Sequence, residues 1–170
     1  MDAATVGIVM DALKESAIDL VVTLPEEPTH ALPEATQKDP YFTTVIAAGE
    51  GNGLAVCGGA ALSGRDCIFV TGVAGLLVGT WALAQVGMNY GAPFVILACY
   101  RGDWGDPTAI GGPQLFLFKK VAEPLLGALG LPYRIVDQRS QLERAIREAH
   151  ASAHDWGTPV VLLLTGEIVW

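Results

Sequence analysis

Hydrophobic positions along this chain follow two different periods. Apolar residues at helical spacing predict helices over residues 3–16, 50–63, 75–89, 114–129 and 140–153, with a shorter helix over 30–37 inside a polar, proline-rich loop at 26–40. Short runs rich in β-branched residues predict strands over residues 18–24, 42–47, 66–71, 93–100, 133–136 and 159–164. Because strands alternate with helices, we expect an α/β fold with a doubly wound, mainly parallel sheet and helices on both faces.

The segment from Cys67 to Tyr100 contains no charged residue, which raises the question of a membrane span. Five glycines and Pro93 interrupt it, so no unbroken apolar stretch of about 20 residues remains. Parallel sheets that are covered on both faces produce such charge-free runs. We therefore expect a buried strand, a buried helix and another buried strand, and no association with a membrane.

The composition is that of a folded protein with one core. Hydrophobic residues make up 51% of the 170 residues and charged residues 16%, which excludes a disordered chain. We expect a single domain over residues 1–170. Eighteen acidic residues against ten basic ones give a net charge of −8, and the basic residues are scattered, which argues against a nucleic-acid binder.

The three cysteines point to a reducing compartment. Cys57, Cys67 and Cys99 are odd in number, far apart and in apolar surroundings, so we expect buried thiols rather than disulfides or metal ligands. Asp2 follows Met1 directly, and no basic segment precedes an apolar stretch, so no secretory signal is visible. We expect a cytoplasmic protein.

Glu50 is the clearest candidate for chemistry. Ligands of doubly wound sheets bind beyond the carboxyl ends of the strands, and Glu50 lies at such a strand-to-helix junction. It is the only charged residue between Pro40 and Gly64, and glycines flank it on both sides. Two interpretations remain open: an acid in the first helical turn, favoured by the helix dipole, or a functional acid whose carboxylate the glycines leave accessible.

The glycine-rich segment around Glu50 does not bind phosphate by a known pattern. It matches neither the dinucleotide fingerprint nor the P-loop, because no Lys-Ser/Thr pair follows. A carboxylate at this place would also repel a diphosphate. It suits a ligand that offers a hydrogen-bond donor, such as a ring nitrogen.

These residues resemble the pyrimidine-binding domain of thiamine diphosphate enzymes, and most closely the sulfopyruvate and phosphonopyruvate decarboxylases. The resemblance rests on segments that occur in the same order along nearly the whole chain: VVTLP (21–25), AAGEGNG (47–53), PFVIL (93–97) followed by YRGD (100–103), GGPQ (111–114) and LLGALGLP (125–132). It implies the thiamine diphosphate-binding, pyrimidine-domain type of α/β fold.

The resemblance also implies roles for individual residues. The family's glutamate, matched by Glu50, hydrogen-bonds a ring nitrogen of the cofactor's aminopyrimidine and is catalytic, so that the cofactor can decarboxylate a small anionic 2-keto acid such as 3-sulfopyruvate or 3-phosphonopyruvate. Cofactor binding is expected at Glu50, Thr71, Gly72 and Val73, and substrate binding at Pro25, Thr29, His30, Arg101 and Gln114.

Two departures from the family pattern shape the expectation. Residues 71–75 (TGVAG) stand where close relatives carry a more polar loop, QNSG. The Gly-Asp-Gly motif with a later Asn, which holds the diphosphate through Mg²⁺, is missing, because no Asn follows Asp103 or Asp106. We therefore expect a separate beta-type subunit that holds Mg²⁺, a hetero-oligomer that shares thiamine diphosphate across the subunit interface, and no metal ligands on this chain.

Alternative interpretations remain for the whole chain and for single residues. The chain could be a non-catalytic regulatory or assembly domain of the same fold, or an unrelated small-molecule-binding domain in which Glu50 is merely an acid at the start of a helix. For Arg101 we favour a local ion pair with Asp103 or Asp106 over substrate binding. We expect His150 and His154, four residues apart, to be solvated, because no acid completes a zinc motif in the sequence.

The charge-free segment and the Ala/Gly-rich helix are candidates for a subunit interface.

Overall fold

The computed structural model describes residues 1–102 and 114–169, with the side chains of the second range from Leu117 onward. The described residues form one six-stranded, all-parallel sheet in the order β2-β1-β3-β4-β6-β5. The strands are β1 (Leu20–Thr23), β2 (Thr43–Ile46), β3 (Cys67–Gly72), β4 (Val95–Cys99), β5 (Tyr133–Val136) and β6 (Val160–Leu164).

Seven α-helices are assigned in the described ranges: α1 (Ala3–Glu15), α2 (Ala31–Thr36), α3 (Glu50–Leu62), α4 (Val73–Val78), α5 (Thr80–Ala82), α6 (Gln114–Leu129) and α7 (Arg139–Trp156). A π-helical segment, Leu83–Met88, continues α5, and short 3-10 helices span Glu27–Thr29 and Gly166–Ile168. All six predicted strands are present.

Helices cover both faces of the sheet, as predicted. Consecutive strand residues point to opposite faces, so that Ile68 belongs to one apolar core and Phe69 to the other. The first core packs under α1, α2 and α7, and the second under α3, α6 and the π-helical segment. This arrangement confirms the doubly wound α/β fold.

The charge-free segment forms a strand, a helical part and another strand, as predicted. The predicted bounds of the helix, however, are wrong. The helix begins at Val73 rather than at residue 75, and it is broken at Gly79, where a β-carbon would overlap the side chain of Leu54. The segment contains α4, α5 and the π-helical segment instead of one helix, and α3 packs closely against it at Gly79. Within the described residues, no helix combines the length and the apolar character that crossing a membrane requires.

The structure confirms that the three cysteines are buried thiols. Cys57, Cys67 and Cys99 are all free and buried. The Cys67 thiol donates to the Cys57 carbonyl over 3.3 Å. Burial raises the pKa of the Cys57 thiol well above its usual value, with the neighbouring Cys67 adding to the shift. A thiol in this state is protonated and unreactive at neutral pH.

The order of the strands defines where a ligand would bind. The chain leaves β1 towards β2 at one edge of the sheet and then returns through α3 to β3 on the other side of β1. β1 and β3 are therefore the neighbours between which the winding direction reverses. In open α/β sheets the crevice beyond the carboxyl ends of such a strand pair is the usual ligand site.

Candidate functional site

A cleft of about 160 Å³ lies at this reversal point. It is lined by residues from three connections: Leu24, Pro25 and Glu26 after β1, Glu50 after β2, and Thr71, Gly72, Ala74 and Gly75 at the end of β3 and the start of α4. The Thr23 hydroxyl donates to the Val70 carbonyl over 2.9 Å and ties the ends of β1 and β3 together beneath the cleft.

Glu50 is the first residue of α3, and its side chain is half-buried in the cleft. In the part of the chain that the structure describes, its carboxylate makes neither an ion pair nor a hydrogen bond. Glycine is required opposite it, because a β-carbon on Gly75 would lie 2.7 Å from Glu50 Cγ. The position serves both interpretations that the sequence left open, since the acid begins a helix and also faces a cleft.

Glu26 is a second carboxylate in the same cleft, and sequence reasoning did not single it out. Its Oε2 atom is buried without a hydrogen-bond partner in the described residues. Burial raises the pKa of Glu26; the charge of Arg101 partly offsets this effect, and the charges of Glu27 and Glu50 add to it. The only signal in the sequence was the acidic character of the loop after β1.

Arg101 pairs with the loop after β1. Its guanidinium lies 3.6 Å from Glu26 Oε1 and 3.8 Å from Glu27 Oε2, and only 13% of the side chain is exposed. The expected partners Asp103 and Asp106 lie outside the described residues. Arg101 lines a cleft that adjoins the first one and shares Glu26 with it, together with Val73, Ala74, Cys99 and Phe118.

The structure brings some of the predicted site residues together and not others. Glu50, Pro25, Thr71 and Gly72 line the main cleft, and Val73 and Arg101 line the adjoining one.

Thr29 and His30 line neither of these clefts. The Thr29 side chain is buried in its own loop, where the hydroxyl donates to the Glu26 carbonyl at 3.5 Å, and the exposed His30 ring contacts the Glu27 carbonyl. Gln114 begins α6, but its side chain lies outside the described residues. The proposed roles of these three residues in substrate binding stay predictions.

The segment at residues 71–75, which the sequence suggested to be a loop, is not one. Thr71 and Gly72 complete β3, and Val73 begins α4 without any intervening residue. Gly72 is in an extended conformation, and Thr71 is buried. The apolar character of this segment therefore has a physical reason, because the strand passes directly into a helix that packs on the sheet.

Comparison with known proteins identifies the fold. No protein-family model matches the chain, and no curated protein sequence matches it. Solved structures match it over nearly its whole length, including benzoylformate decarboxylase from Polynucleobacter necessarius, with 21% identity and a TM-score of 0.74 over 97% of this chain. The thiamine diphosphate-dependent 4-hydroxybenzoylformate decarboxylase from Rhodococcus jostii matches with 18% identity and a TM-score of 0.73, also over 97%.

A third match is the 2-oxoglutarate:ferredoxin oxidoreductase from Magnetococcus marinus, with 17% identity and a TM-score of 0.77 over 98% of this chain. In each of the three cases the chain spans about 30% of the length of the matched protein. At these identities the likeness establishes the fold, which is that of one domain within these larger enzymes.

Proposed function

We propose that this chain is the pyrimidine-binding part of a thiamine diphosphate-dependent 2-oxo acid decarboxylase, in which Glu50 is the acid that binds the aminopyrimidine. One observation carries the proposal: the carboxylate of Glu50, which has no partner among the described residues, lies in a cleft at the point where the winding of this fold reverses. A structure of the same fold is a thiamine diphosphate-dependent decarboxylase.

The residues of the cleft fit a flat aromatic ring with a hydrogen-bond donor. Gly72 and Gly75 present no side chains to it, and Leu24 and Ala74 offer apolar contacts. A carboxylate that is not neutralised by a cation of its own fold accepts a hydrogen bond from a ring N–H. When bound, thiamine diphosphate supplies the electron sink for the loss of carbon dioxide from a 2-oxo acid.

Each carboxylate of the cleft has its own role in this proposal. Glu50 would share a proton with the ring nitrogen of the aminopyrimidine through a hydrogen bond and would thereby set the protonation state of the ring. Glu26, whose buried Oε2 has no partner in the described residues, presents a second acceptor towards the same space. Burial raises the pKa of Glu26, which favours its protonated form more than in a solvated carboxylic acid.

The substrate class is a small anionic 2-oxo acid, of the sulfopyruvate or phosphonopyruvate kind. Arg101 borders the cleft, and a guanidinium binds sulfonate, phosphonate or carboxylate groups with a fork of N–H donors. Its separations from Glu26 and Glu27, 3.6 and 3.8 Å, exceed the length of a good hydrogen bond.

The proposal includes a partner subunit that holds the diphosphate and Mg²⁺. Two large apolar side chains are exposed beside the cleft: Val78, with 71% of its surface exposed, and Trp81, with 77%. Gly79, between them, packs close to the backbone of Glu50. Such large exposed fractions of apolar side chains are typical of a protein interface. We place this interface next to the site, where the second half of the cofactor would be bound.

Replacing Glu50 tests the catalytic role. The chain is purified with the partner subunit, and carbon dioxide release from 3-sulfopyruvate and 3-phosphonopyruvate is measured. Glu50→Gln keeps the shape of the side chain but removes its charge, so activity should fall by about two orders of magnitude or more while assembly persists. Glu34→Gln is the matched control, because Glu34 is exposed on α2 and lines neither cleft.

Full activity in the Glu50→Gln complex would rule out the catalytic role. An assembled wild-type complex that releases no carbon dioxide from any 2-oxo acid would favour the alternative, a regulatory or assembly domain of the same fold.

A second experiment tests the subunit arrangement. Trp81→Ala should weaken association with the partner subunit, measured by analytical ultracentrifugation. Trp156→Ala, at the end of α7 and 62% exposed, should leave it unchanged. Tight binding of thiamine diphosphate and Mg²⁺ by this chain alone would contradict the proposed division of the site between two subunits.

A further inference from the structure

Three side chains that are distant in sequence converge at the other end of β3. His150 Nε2 lies 2.9 Å and His154 Nε2 lies 2.7 Å from the same oxygen of Asp66, Oδ1. The ligand-type atoms of the three residues all lie within 4.8 Å of one another. The expectation that both histidines are simply solvated is therefore wrong, because an acid from another element completes the group.

The fold explains why these residues meet. His150 and His154 are one helical turn apart on α7, so that their rings lie side by side, with centroids 4.8 Å apart. Asp66 immediately precedes β3, whose backbone is held between β1 and β4. Sequence spacing alone could not reveal the group, since 84 residues separate Asp66 from His150.

Within the described ranges, Asp66 forms no ion pair with a lysine or arginine. Arg65, the adjacent residue, forms a two-pronged ion pair with Asp19 through distances of 3.0 and 3.1 Å. The Asp66 side chain is 29% exposed, His150 is 20% exposed and His154 is 48% exposed. The group is thus partly enclosed, and it remains open to solvent on the His154 side.

We propose that Asp66, His150 and His154 form a binding site for a divalent transition-metal ion of the Zn²⁺ class, with one or more positions left to water. Two imidazole nitrogens and a carboxylate oxygen form a donor set that binds ions of the Zn²⁺ class more strongly than it binds Mg²⁺ or Ca²⁺. Zinc ligands at about 2.0–2.2 Å from the ion stand about 3.3 Å from one another in a tetrahedral site. To bind an ion, the separations of 2.9 and 2.7 Å from Asp66 Oδ1 would have to widen to that value, and the largest separation in the group, within 4.8 Å, would have to shorten to it.

This site is separate from the cleft that contains Glu50. Asp66 lies at the amino end of β3, whereas Thr71 and Gly72 lie at its carboxyl end, about 20 Å away for a strand of six residues. The inference is therefore independent of the proposed function, and its ion is not the Mg²⁺ of the partner subunit. A bound ion would link α7 to the start of β3 and stabilise the folded chain.

Cobalt titration tests the site. Tag-free, chelator-treated protein is titrated with Co²⁺, whose visible absorption reports nitrogen and oxygen coordination. We expect a saturable change at one ion per chain, no thiolate charge-transfer band, displacement by Zn²⁺ and none by Mg²⁺. Removing a direct ligand by His150→Gln, His154→Gln or Asp66→Asn should weaken binding by more than the roughly 10–100-fold loss typical of outer-shell substitutions.

His30→Gln is the matched control, because His30 is the third histidine of the chain and lies in the loop after β1. Zn²⁺ should raise the unfolding temperature of the wild type and of His30→Gln, but not that of His154→Gln, whose exposed side chain makes the substitution compatible with folding. No saturable signal in the wild type, or undiminished binding in both His150→Gln and His154→Gln, would overturn the proposal and leave a hydrogen-bonded tether between α7 and β3.

Discussion

Glu26 packs directly on Gly72, and a β-carbon at Gly72 would overlap the Glu26 carboxylate. The contact joins the loop after β1 to the end of β3 and aims the carboxylate into the same cleft as Glu50. Glu26 and Glu50 therefore lie in the same cleft, and the fold holds the Glu26 carboxylate where water solvates its charge poorly. Groups that a fold holds at a cost to its stability are often functional.

Replacing Glu26 by Gln should stabilise the protein at neutral pH. Burial raises the pKa of Glu26 above its usual 4.5, so the folded state binds this proton more tightly than the unfolded state. Stability is then lost as the pH rises from the unfolded pKa through the folded one. Since Gln carries no charge, Glu26→Gln should unfold at a higher temperature than the wild type near neutral pH, and the difference should shrink below about pH 4.

The neighbouring acid provides the control for this prediction. Glu27→Gln changes a side chain that is 75% exposed and should alter the unfolding temperature little at any pH. If Glu26→Gln were less stable than the wild type at neutral pH, the ion pair with Arg101 would outweigh the burial of the charge, and the interpretation of Glu26 as a destabilising acid would be wrong.

Gly72→Ala should remove the same pH-dependent contribution without touching Glu26 itself. The new methyl group occupies the place of the Glu26 carboxylate, which is the flexible end of a side chain and can rotate towards solvent. Gly72 has φ −101° and ψ 169°, a conformation that alanine adopts without strain. In a double-mutant cycle, Gly72→Ala and Glu26→Gln should therefore be non-additive in their effect on unfolding at neutral pH. Strict additivity would show that the contact does not hold the carboxylate in place.

Ala17→Gly should stabilise the protein. Ala17 has φ 56°, the left-handed conformation that follows α1, where the Ile18 N–H donates to the Leu13 carbonyl over 2.9 Å. Glycine adopts this conformation without the steric cost of a β-carbon, so we expect a gain of about 0.5–1 kcal/mol in the free energy of unfolding. Urea denaturation measures it.

The same substitution inside a helix should act in the opposite direction. Ala55 is exposed in the middle of α3, and Ala55→Gly should lose about 1 kcal/mol. Destabilisation by both Ala17→Gly and Ala55→Gly would contradict the assignment of strain to Ala17.

Two glycines of α3 should respond oppositely to alanine. A β-carbon on Gly53 would overlap the ring of Phe69, which is fully buried in the sheet, so Gly53→Ala should cost about 1–3 kcal/mol by overpacking. Gly59 is exposed, and apart from its own helix no described residue has an atom within 4 Å of its β-carbon position, so Gly59→Ala should gain up to about 1 kcal/mol from helix propensity. Unfolding in urea separates the two, and equal effects would show that α3 does not pack on β3 through Gly53.

Some features followed from local sequence alone. The alternation of strands and helices, the two-sided burial of the sheet and the place of Glu50 at the start of α3 all depend on neighbours within a few residues. Periodicity reports these features because a helix or strand must bury one set of side chains whatever the rest of the chain does. The sequence did not reveal the break of the predicted helix at Gly79, nor that Leu54 of another helix packs closely there.

Contacts between segments that are far apart in sequence needed the tertiary structure. The sequence by itself determined the fold class, the buried thiols and the single acid at a strand-to-helix junction. The tertiary structure alone showed that Glu26 lines the cleft beside Glu50 and that Arg101 pairs with the loop after β1. It also showed that Asp66 contacts His150 and His154. Hydrophobic periodicity fixes which face of an element is buried, but the direction of a polar side chain in a loop, and the partner it meets, depend on how the elements cross.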